Sequence, residues 1–182
     1  MITSTGPYRR MDDMVQSIDP GQAFPARCDY HSGCRERLLS AAESLCRESG
    51  TSLTANRRAV LDILSESHHS LGAYDILERM DAGAGRRPGP AAVYRALEFL
   101  SGLGLVHRLG SRNSWFACSR PGEHRGRSQY WICANCGVVG ETESEEIAQI
   151  LPELALSMAF RLDRVSIEIE GECRGCQLQI KG

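Results

Sequence analysis

Four of the chain's eight cysteines fall in two Cys-x-x-Cys pairs. One pair lies in Trp131-Ile132-Cys133-Ala134-Asn135-Cys136-Gly137, and the other is Cys173-Arg174-Gly175-Cys176. Each pair presents two thiolates from one tight turn, pre-aimed at a single ion. Two such pairs build a four-thiolate tetrahedron, the closed geometry of structural zinc. Residues 137–172 then form a loop whose ends the ion holds together, which couples metal binding to folding of that segment. A lone Cys-x-x-Cys would serve equally as a redox dithiol, but two in one C-terminal module favour metal over redox or disulfide chemistry. A thiol oxidoreductase also sets its pair at a helix N-terminus inside a βαβ pattern, which the residues around Cys133 do not form. Cys28, His31 and Cys34 are spaced like ligands too, yet no fourth donor accompanies them, and they read as part of a floppy arm.

The elements that must position these donors fit a chain of 182 residues, enough for one large or two small domains. A hydrophobic content of 42% supports real cores. Residues 1–35 hold no apolar run of the kind a signal peptide needs and carry Arg9, Arg10, Asp12, Asp13 and Asp19. No stretch approaches the roughly 20 apolar residues of a membrane span. The expectation is a cytoplasmic, reducing compartment, where cysteines serve as metal ligands. The net charge of −2 hides an asymmetry: residues 51–127 carry 11 basic and 7 acidic side chains, whereas residues 128–182 carry 4 and 9. A basic middle beside an acidic tail points to a polyanionic partner for the middle. Apart from Lys181 every basic residue is arginine, whose fork matches phosphate and guanine.

Taken in order, residues 1–34 lack periodicity and read as a mostly disordered extension. Leu38, Leu39, Ala42, Leu45 and Cys46 fall on one stripe and predict a helix over 36–48, with Cys46 in the core. A second helix is expected at 55–66, opened by Thr54 and burying Val60, Leu61, Ile63 and Leu64. His68 and His69 read as partners of its C-terminal dipole. A third helix is expected at 72–82, and a fourth at 91–102 with Val93, Ala96, Leu97 and Leu100 on its apolar face. Leu105–Arg108 and Trp115–Cys118 then flank a Gly110-Ser111-Arg112-Asn113-Ser114 turn as a β-hairpin. Helices followed by such a hairpin are the order of a winged helix-turn-helix, whose fourth helix enters the DNA major groove. Beyond a polar link at 119–128, strands are expected at 129–133 and 137–141. Thr142 and Glu145 resemble a capping box opening a helix to about Phe160, which Pro152 should kink or split. Residues 164–170 alternate, with Val165, Ile167 and Ile169 on one face and Ser166, Glu168 and Glu170 on the other. A final strand is expected to deliver Cys173 and Cys176.

Collinear runs from residue 36 to 178 resemble the ferric uptake regulator family, and within it the zinc uptake regulator branch. They are Ser52-Leu53-Thr54-Ala55-Asn56-Arg57, Ala73-Tyr74-Asp75-Ile76-Leu77, Val93-Tyr94-Arg95-Ala96-Leu97-Glu98-Phe99-Leu100 and Gly104-Leu105-Val106-His107-Arg108, then Ser111 to Cys118 and the two cysteine pairs. The chain departs from the family in having Ala55 where proline is frequent, Ala92 where threonine is frequent, and no His-rich run before Cys133. The resemblance implies an α+β fold: a winged-helix DNA-binding domain at 35–118, a hinge at 119–128, and an α/β dimerisation domain at 129–182 with a four-cysteine zinc site at Cys133, Cys136, Cys173 and Cys176. It further implies a regulatory zinc held by His107, Cys118, His124 and Glu141, hence two zinc ions per subunit. One thiolate, two imidazoles and one carboxylate at four-coordination suit Zn2+ better than Fe2+. The implied base-contacting residues are Arg95 and Tyr74, with Tyr94, Arg57 and Arg112 placed for phosphate.

The expected function is therefore a homodimeric, zinc-sensing repressor that binds a pseudo-palindromic operator when zinc-loaded and silences zinc-uptake genes, without enzymatic activity. Iron- or peroxide-responsive regulators share that fold and are the alternative within the class. A zinc-dependent enzyme acting on nucleic acid is the alternative outside it. A nucleobase deaminase, however, needs His-x-Glu and Pro-Cys-x-x-Cys, and neither occurs.

Overall fold

The computed structural model describes residues 31–81, 88–122, 128–163 and 165–179. Cys28 and His124 lie outside the described residues. The first helix, α1, spans His31–Glu48 and so begins five residues earlier than the apolar stripe indicates. From Gly33 to Arg37 no side chain is buried, so periodicity has nothing there to register. Leu38, Ala42 and Cys46, four apart, form its buried stripe.

Helices α2 (Ala55–Ser65), α3 (Ala73–Asp81) and α4 (Pro90–Gly102) complete the N-terminal half. Thr54 occupies the N-cap of α2 through its backbone alone, without a side-chain hydrogen bond. At α3 the Asp75 carboxylate reaches back to accept from the Gly72 N–H at 2.9 Å, half of a capping box. Pro90 begins α4, where a missing N–H costs nothing. The faces buried together are Val60, Leu61 and Leu64 from α2, Ile76 and Leu77 from α3, and Val93, Ala96, Leu97 and Leu100 from α4. Each fully buried valine, leucine or isoleucine among them contributes about 1.5–3 kcal/mol of transfer free energy. Gly104, at φ +68°, turns the chain out of α4 into the hairpin, a left-handed conformation that glycine takes without strain.

The hairpin pairs β1 (Val106–Leu109) with β2 (Ser114–Ala117), antiparallel, with His107 opposite Phe116. Its inner face closes the helical core through Val106 and Trp115. The second sheet has the order β4-β3-β5, with β3 (Ser128–Cys133) antiparallel to β4 (Val139–Glu143) and parallel to β5 (Ile167–Gly171). Between the parallel strands β3 and β5 the chain returns along β4 and then passes through helix α5 (Glu145–Ser157) to the far edge of the sheet. Ser144, not Thr142, caps α5: its hydroxyl accepts from the Ile147 N–H at 3.3 Å. Thr142 is buried in β4, where its hydroxyl accepts from the Trp131 indole N–H at 2.8 Å. Pro152 sits inside α5 without splitting it, since one missing donor leaves the rest of the ladder in place. The last described element is a short helix, α6 (Arg174–Gln179), where the sequence predicts a strand.

The two halves touch along two seams. Leu109 and Phe116 of the hairpin pack against Tyr130, Ile132 and Val139 of the sheet. The loop between α2 and α3 forms the other seam. His69 bridges Val138, and the Val139 N–H donates to the His68 carbonyl at 2.9 Å. Both histidines lie beyond the end of α2, in a segment that meets the sheet through the His69 bridge and the His68 carbonyl. Among the described residues no helix is long and apolar enough to cross a membrane.

Candidate functional site

The first Cys-x-x-Cys leaves the end of β3. Gly137, at φ +73°, lets the chain reverse there, and its N–H donates to the Cys133 carbonyl at 2.9 Å. The neighbouring strand β5 is tied to the same turn by the Ala134 N–H, which donates to the Gly171 carbonyl at 2.7 Å. That parallel pairing brings Cys173 and the first turn of α6 over Cys133 and Cys136. The Sγ atoms of Cys133 and Cys176 are 3.8 Å apart, those of Cys136 and Cys173 are 3.7 Å apart, and all four lie within 4.8 Å of one another. A zinc–sulfur bond of about 2.3 Å gives a tetrahedron with edges of about 3.8 Å. Burial alone would raise the Cys133 thiol, but N–H groups of Cys136, Cys173 and Asn135 outweigh it and bring it down to about 6. The Cys176 thiol is pushed up to about 12, first by its contact with Cys136. Sulfurs this close share one negative charge easily and further ones only around a cation, so the donor set fits zinc.

A second cluster sits on the seam between hairpin and sheet. His107 comes from β1, Cys118 directly follows β2, and Glu141 comes from β4. One donor atom from each lies within 4.8 Å of the others. His107 Nε2 and Glu141 Oε1 are 3.3 Å apart, the edge expected for nitrogen and oxygen each about 2.0 Å from one tetrahedral zinc. Cys118 is 4% exposed and Glu141 5%. A carboxylate withdrawn this far from water carries a desolvation cost that a cation offsets. His124, the fourth donor of the expected set, lies outside the described residues.

Neighbouring groups orient these donors. The second carboxylate oxygen of Glu141, Oε2, accepts from the Ser119 hydroxyl at 3.0 Å. Cys118 Sγ accepts from the Arg120 N–H at 3.2 Å. The His107 ring is flanked by Phe116 and Tyr130, with centroids at 5.5 and 5.3 Å. Burial first, then the charges of Glu141 and Cys118, push the Tyr130 hydroxyl far above its ordinary value. Ser119 and Tyr130 carry no motif, and only their positions beside Cys118 and opposite Glu141 reveal them.

The residues expected at DNA are distributed less uniformly. Tyr74 on α3 is 66% exposed, so its ring stands outside the helical core. Arg95 is exposed on the face of α4 opposite its buried stripe. Tyr94 is half-buried, edge-on to Trp115 at 5.8 Å, rather than turned fully to solvent. The Arg57 guanidinium lies over the Phe99 ring at 3.3 Å and donates to the Ser52 carbonyl at 2.6 Å. Arg112, expected at phosphate, instead donates to Glu170 Oε1 from Nε at 3.2 Å and from Nη2 at 3.1 Å. The reason is tertiary: β5 brings an acidic face against the hairpin turn that bears Arg112.

The sequence profile of the Ferric uptake regulator family matches residues 48–170. The chain belongs to the ferric uptake regulator family. It is 36% identical over 141 residues to the zinc uptake regulation protein of Escherichia coli (strain K12), covering 78% of this chain and 82% of that protein. It is 32% identical over 134 residues to the ferric uptake regulation protein of Legionella pneumophila, covering 72% and 95%. Among solved structures, it is similar to a zinc uptake regulator complexed with zinc and DNA, with a TM-score of 0.74 at 33% identity over 81% of this chain and 98% of that one. The holo form of XcZur gives a TM-score of 0.71 at 28% identity over 79% and 99%. The family match takes in His107, Cys118, Cys133, Cys136 and Glu141 but stops before Cys173 and Cys176, which the folded geometry adds.

Proposed function

We propose that this chain is a zinc-responsive transcriptional repressor that binds operator DNA as a homodimer and controls zinc uptake. The observation that carries the reading is the His107–Cys118–Glu141 cluster on the seam between the helical half and the sheet. Similarity to a zinc uptake regulator complexed with zinc and DNA supports it. In this reading His107, Cys118 and Glu141, with His124, hold a regulatory zinc, and Cys133, Cys136, Cys173 and Cys176 hold a structural one, two per subunit. A bound zinc supplies bonds that join the hairpin to the sheet. Residues 35–118 form the reading head, 119–128 the hinge and 129–182 the dimerisation domain.

The chain's own residues account for the switch. His107 and Cys118 move with the hairpin, and Glu141 stays with the sheet, so bringing the three together orients the helical half. Arg95 and Tyr74 face outward to read bases, while Tyr94 and Arg57 support the phosphate contacts. Ile150, Leu154, Leu156, Met158 and Phe160 expose apolar surface on α5 and just beyond it, and β5 is an edge of the described sheet. Both features suit a two-fold partner. Dimer symmetry then requires a pseudo-palindromic site. The protein acts in the cytoplasm and catalyses no reaction in this reading.

A thiolate donor favours zinc over Fe2+, which separates this reading from an iron-responsive regulator. Gel shifts on zinc-transporter promoters across buffered free zinc, beside Cys118→Ser, test it. Wild type should bind only as free zinc rises, and the variant should need at least about tenfold more. Equal operator affinity in chelator and in zinc would overturn the switch.

A further inference from the structure

The β1–β2 turn carries no metal ligand, yet the sheet grips it. The Gly110 N–H donates to Glu168 Oε1 at 2.6 Å, and the Ser111 N–H donates to Glu168 Oε2 at 3.1 Å. The Ser111 hydroxyl also donates to Glu168 Oε2. Two residues on, Glu170 Oε1 accepts Nε and Nη2 of Arg112 at 3.2 and 3.1 Å. The strand period of two places both carboxylates on one face of β5, toward the hairpin. Register continues the row: Glu168 stands opposite Tyr130, and Tyr130 stands opposite Glu141. Burial would raise the Glu168 carboxyl, but the three donors outweigh it and hold it below its usual range, so the charged form is the one retained.

We propose that Glu168 is a positioning residue for DNA binding: its carboxylate, with Glu170 beside it, clamps the hairpin turn onto the sheet through contacts that need no metal. The inference rests on the proposed zinc-dependent DNA binding. The clamp holds the same two bodies that His107, Cys118 and Glu141 join, so the closed arrangement is partly assembled before the regulatory ligands engage. Charge-assisted hydrogen bonds to two backbone N–H groups and a hydroxyl are among the stronger contacts available to a half-exposed side chain. An apparent affinity scales with the fraction of molecules already competent to bind. Losing the clamp therefore raises the zinc needed for half-maximal operator binding by the factor that the clamp contributes to closure.

The test uses the full-length protein as wild type, Glu168→Gln, Glu168→Ala and Ser111→Ala. Hydrogen exchange of the Gly110 and Ser111 amides is measured in chelator, and operator binding is measured across buffered free zinc. In chelator, both amides of wild type are expected to be protected. Exchange should accelerate about tenfold in Glu168→Ala, with smaller changes in Glu168→Gln, which keeps the side chain's shape but loses the charge. The half-maximal zinc concentration should rise about tenfold in Glu168→Ala and less in Ser111→Ala, with the four-cysteine zinc retained in all four proteins. Unaltered amide exchange in Glu168→Ala, or an unaltered zinc midpoint alongside accelerated exchange, overturns the proposal. If wild type shows no zinc-dependent operator binding, the functional reading fails by itself, and the exchange arm still decides whether the clamp exists.

Discussion

His107 Nε2 on the hairpin and Glu141 Oε1 on the sheet lie 3.3 Å apart. Around this pair three contacts of the hairpin with the sheet line up along one row of the sheet. Glu141 meets His107, Tyr130 carries the His107 and Phe116 rings, and Glu168 takes the hairpin turn. In the proposed reading a metal held by His107, Cys118 and Glu141 draws on both bodies, because its donors come from the hairpin and from the sheet.

Ser119 should govern the strength of that set without being a ligand. Removing an outer partner of a metal-binding carboxylate typically costs 10–100-fold in affinity. Ser119→Ala is expected to weaken the regulatory zinc about tenfold and leave the four-cysteine zinc in place, as read by competition with a chromophoric chelator. Identical chelator competition for variant and wild type would show that Glu141 needs no such support.

The cysteine cluster makes stability of the metal-free protein depend on pH in two opposed steps. Cys133 is lowered from about 9 to about 6, so its contribution is absent below about 6, grows as pH rises, and is complete above about 9. Cys176 is raised to about 12, so it keeps its proton in the fold while the unfolded thiol ionises, and its contribution is lost as pH climbs from about 9. Urea melts of chelated protein should therefore show stability rising from pH 6 toward 9 and falling beyond. Cys133→Ser should remove the rise, and a flat profile between pH 6 and 9 would contradict the assignment.

Arg112 separates a phosphate contact from a strut. A residue neutralising one DNA phosphate lowers the salt slope of binding by about one when removed. Paired to Glu170, Arg112→Ala should instead leave that slope unchanged and show the same loss as Glu170→Ala. The double variant should be no worse than either single one, the signature of coupling in a double-mutant cycle. A reduced slope would return Arg112 to the DNA.

At Arg95 the expectation is loss of discrimination rather than of binding as such. A bidentate arginine–guanine contact is worth about 1–3 kcal/mol against the wrong base. Arg95→Ala should bind the operator about 5–150-fold more weakly while losing little affinity for unrelated duplex, and substituting one operator base pair should no longer matter to it. Equal losses on specific and unrelated DNA would place Arg95 on phosphate.

What the sequence alone determined was whatever local spacing encodes. Apolar residues three and four apart marked α2, α3 and α4, and paired Cys-x-x-Cys turns announced a four-sulfur site. Boundaries without such a signal escape it, as at the early start of α1, the Ser144 cap and the helix that carries Cys176 in place of a strand. Only the tertiary structure decided what crosses between halves. Glu168 and Glu170, known from the sequence only to share a face, hold the hairpin turn, His69 joins a β-bridge to the sheet, and Ser119 supports Glu141. The physical reason is that alternation along a strand says which residues share a face, while what that face meets depends on strands and loops up to 58 residues away.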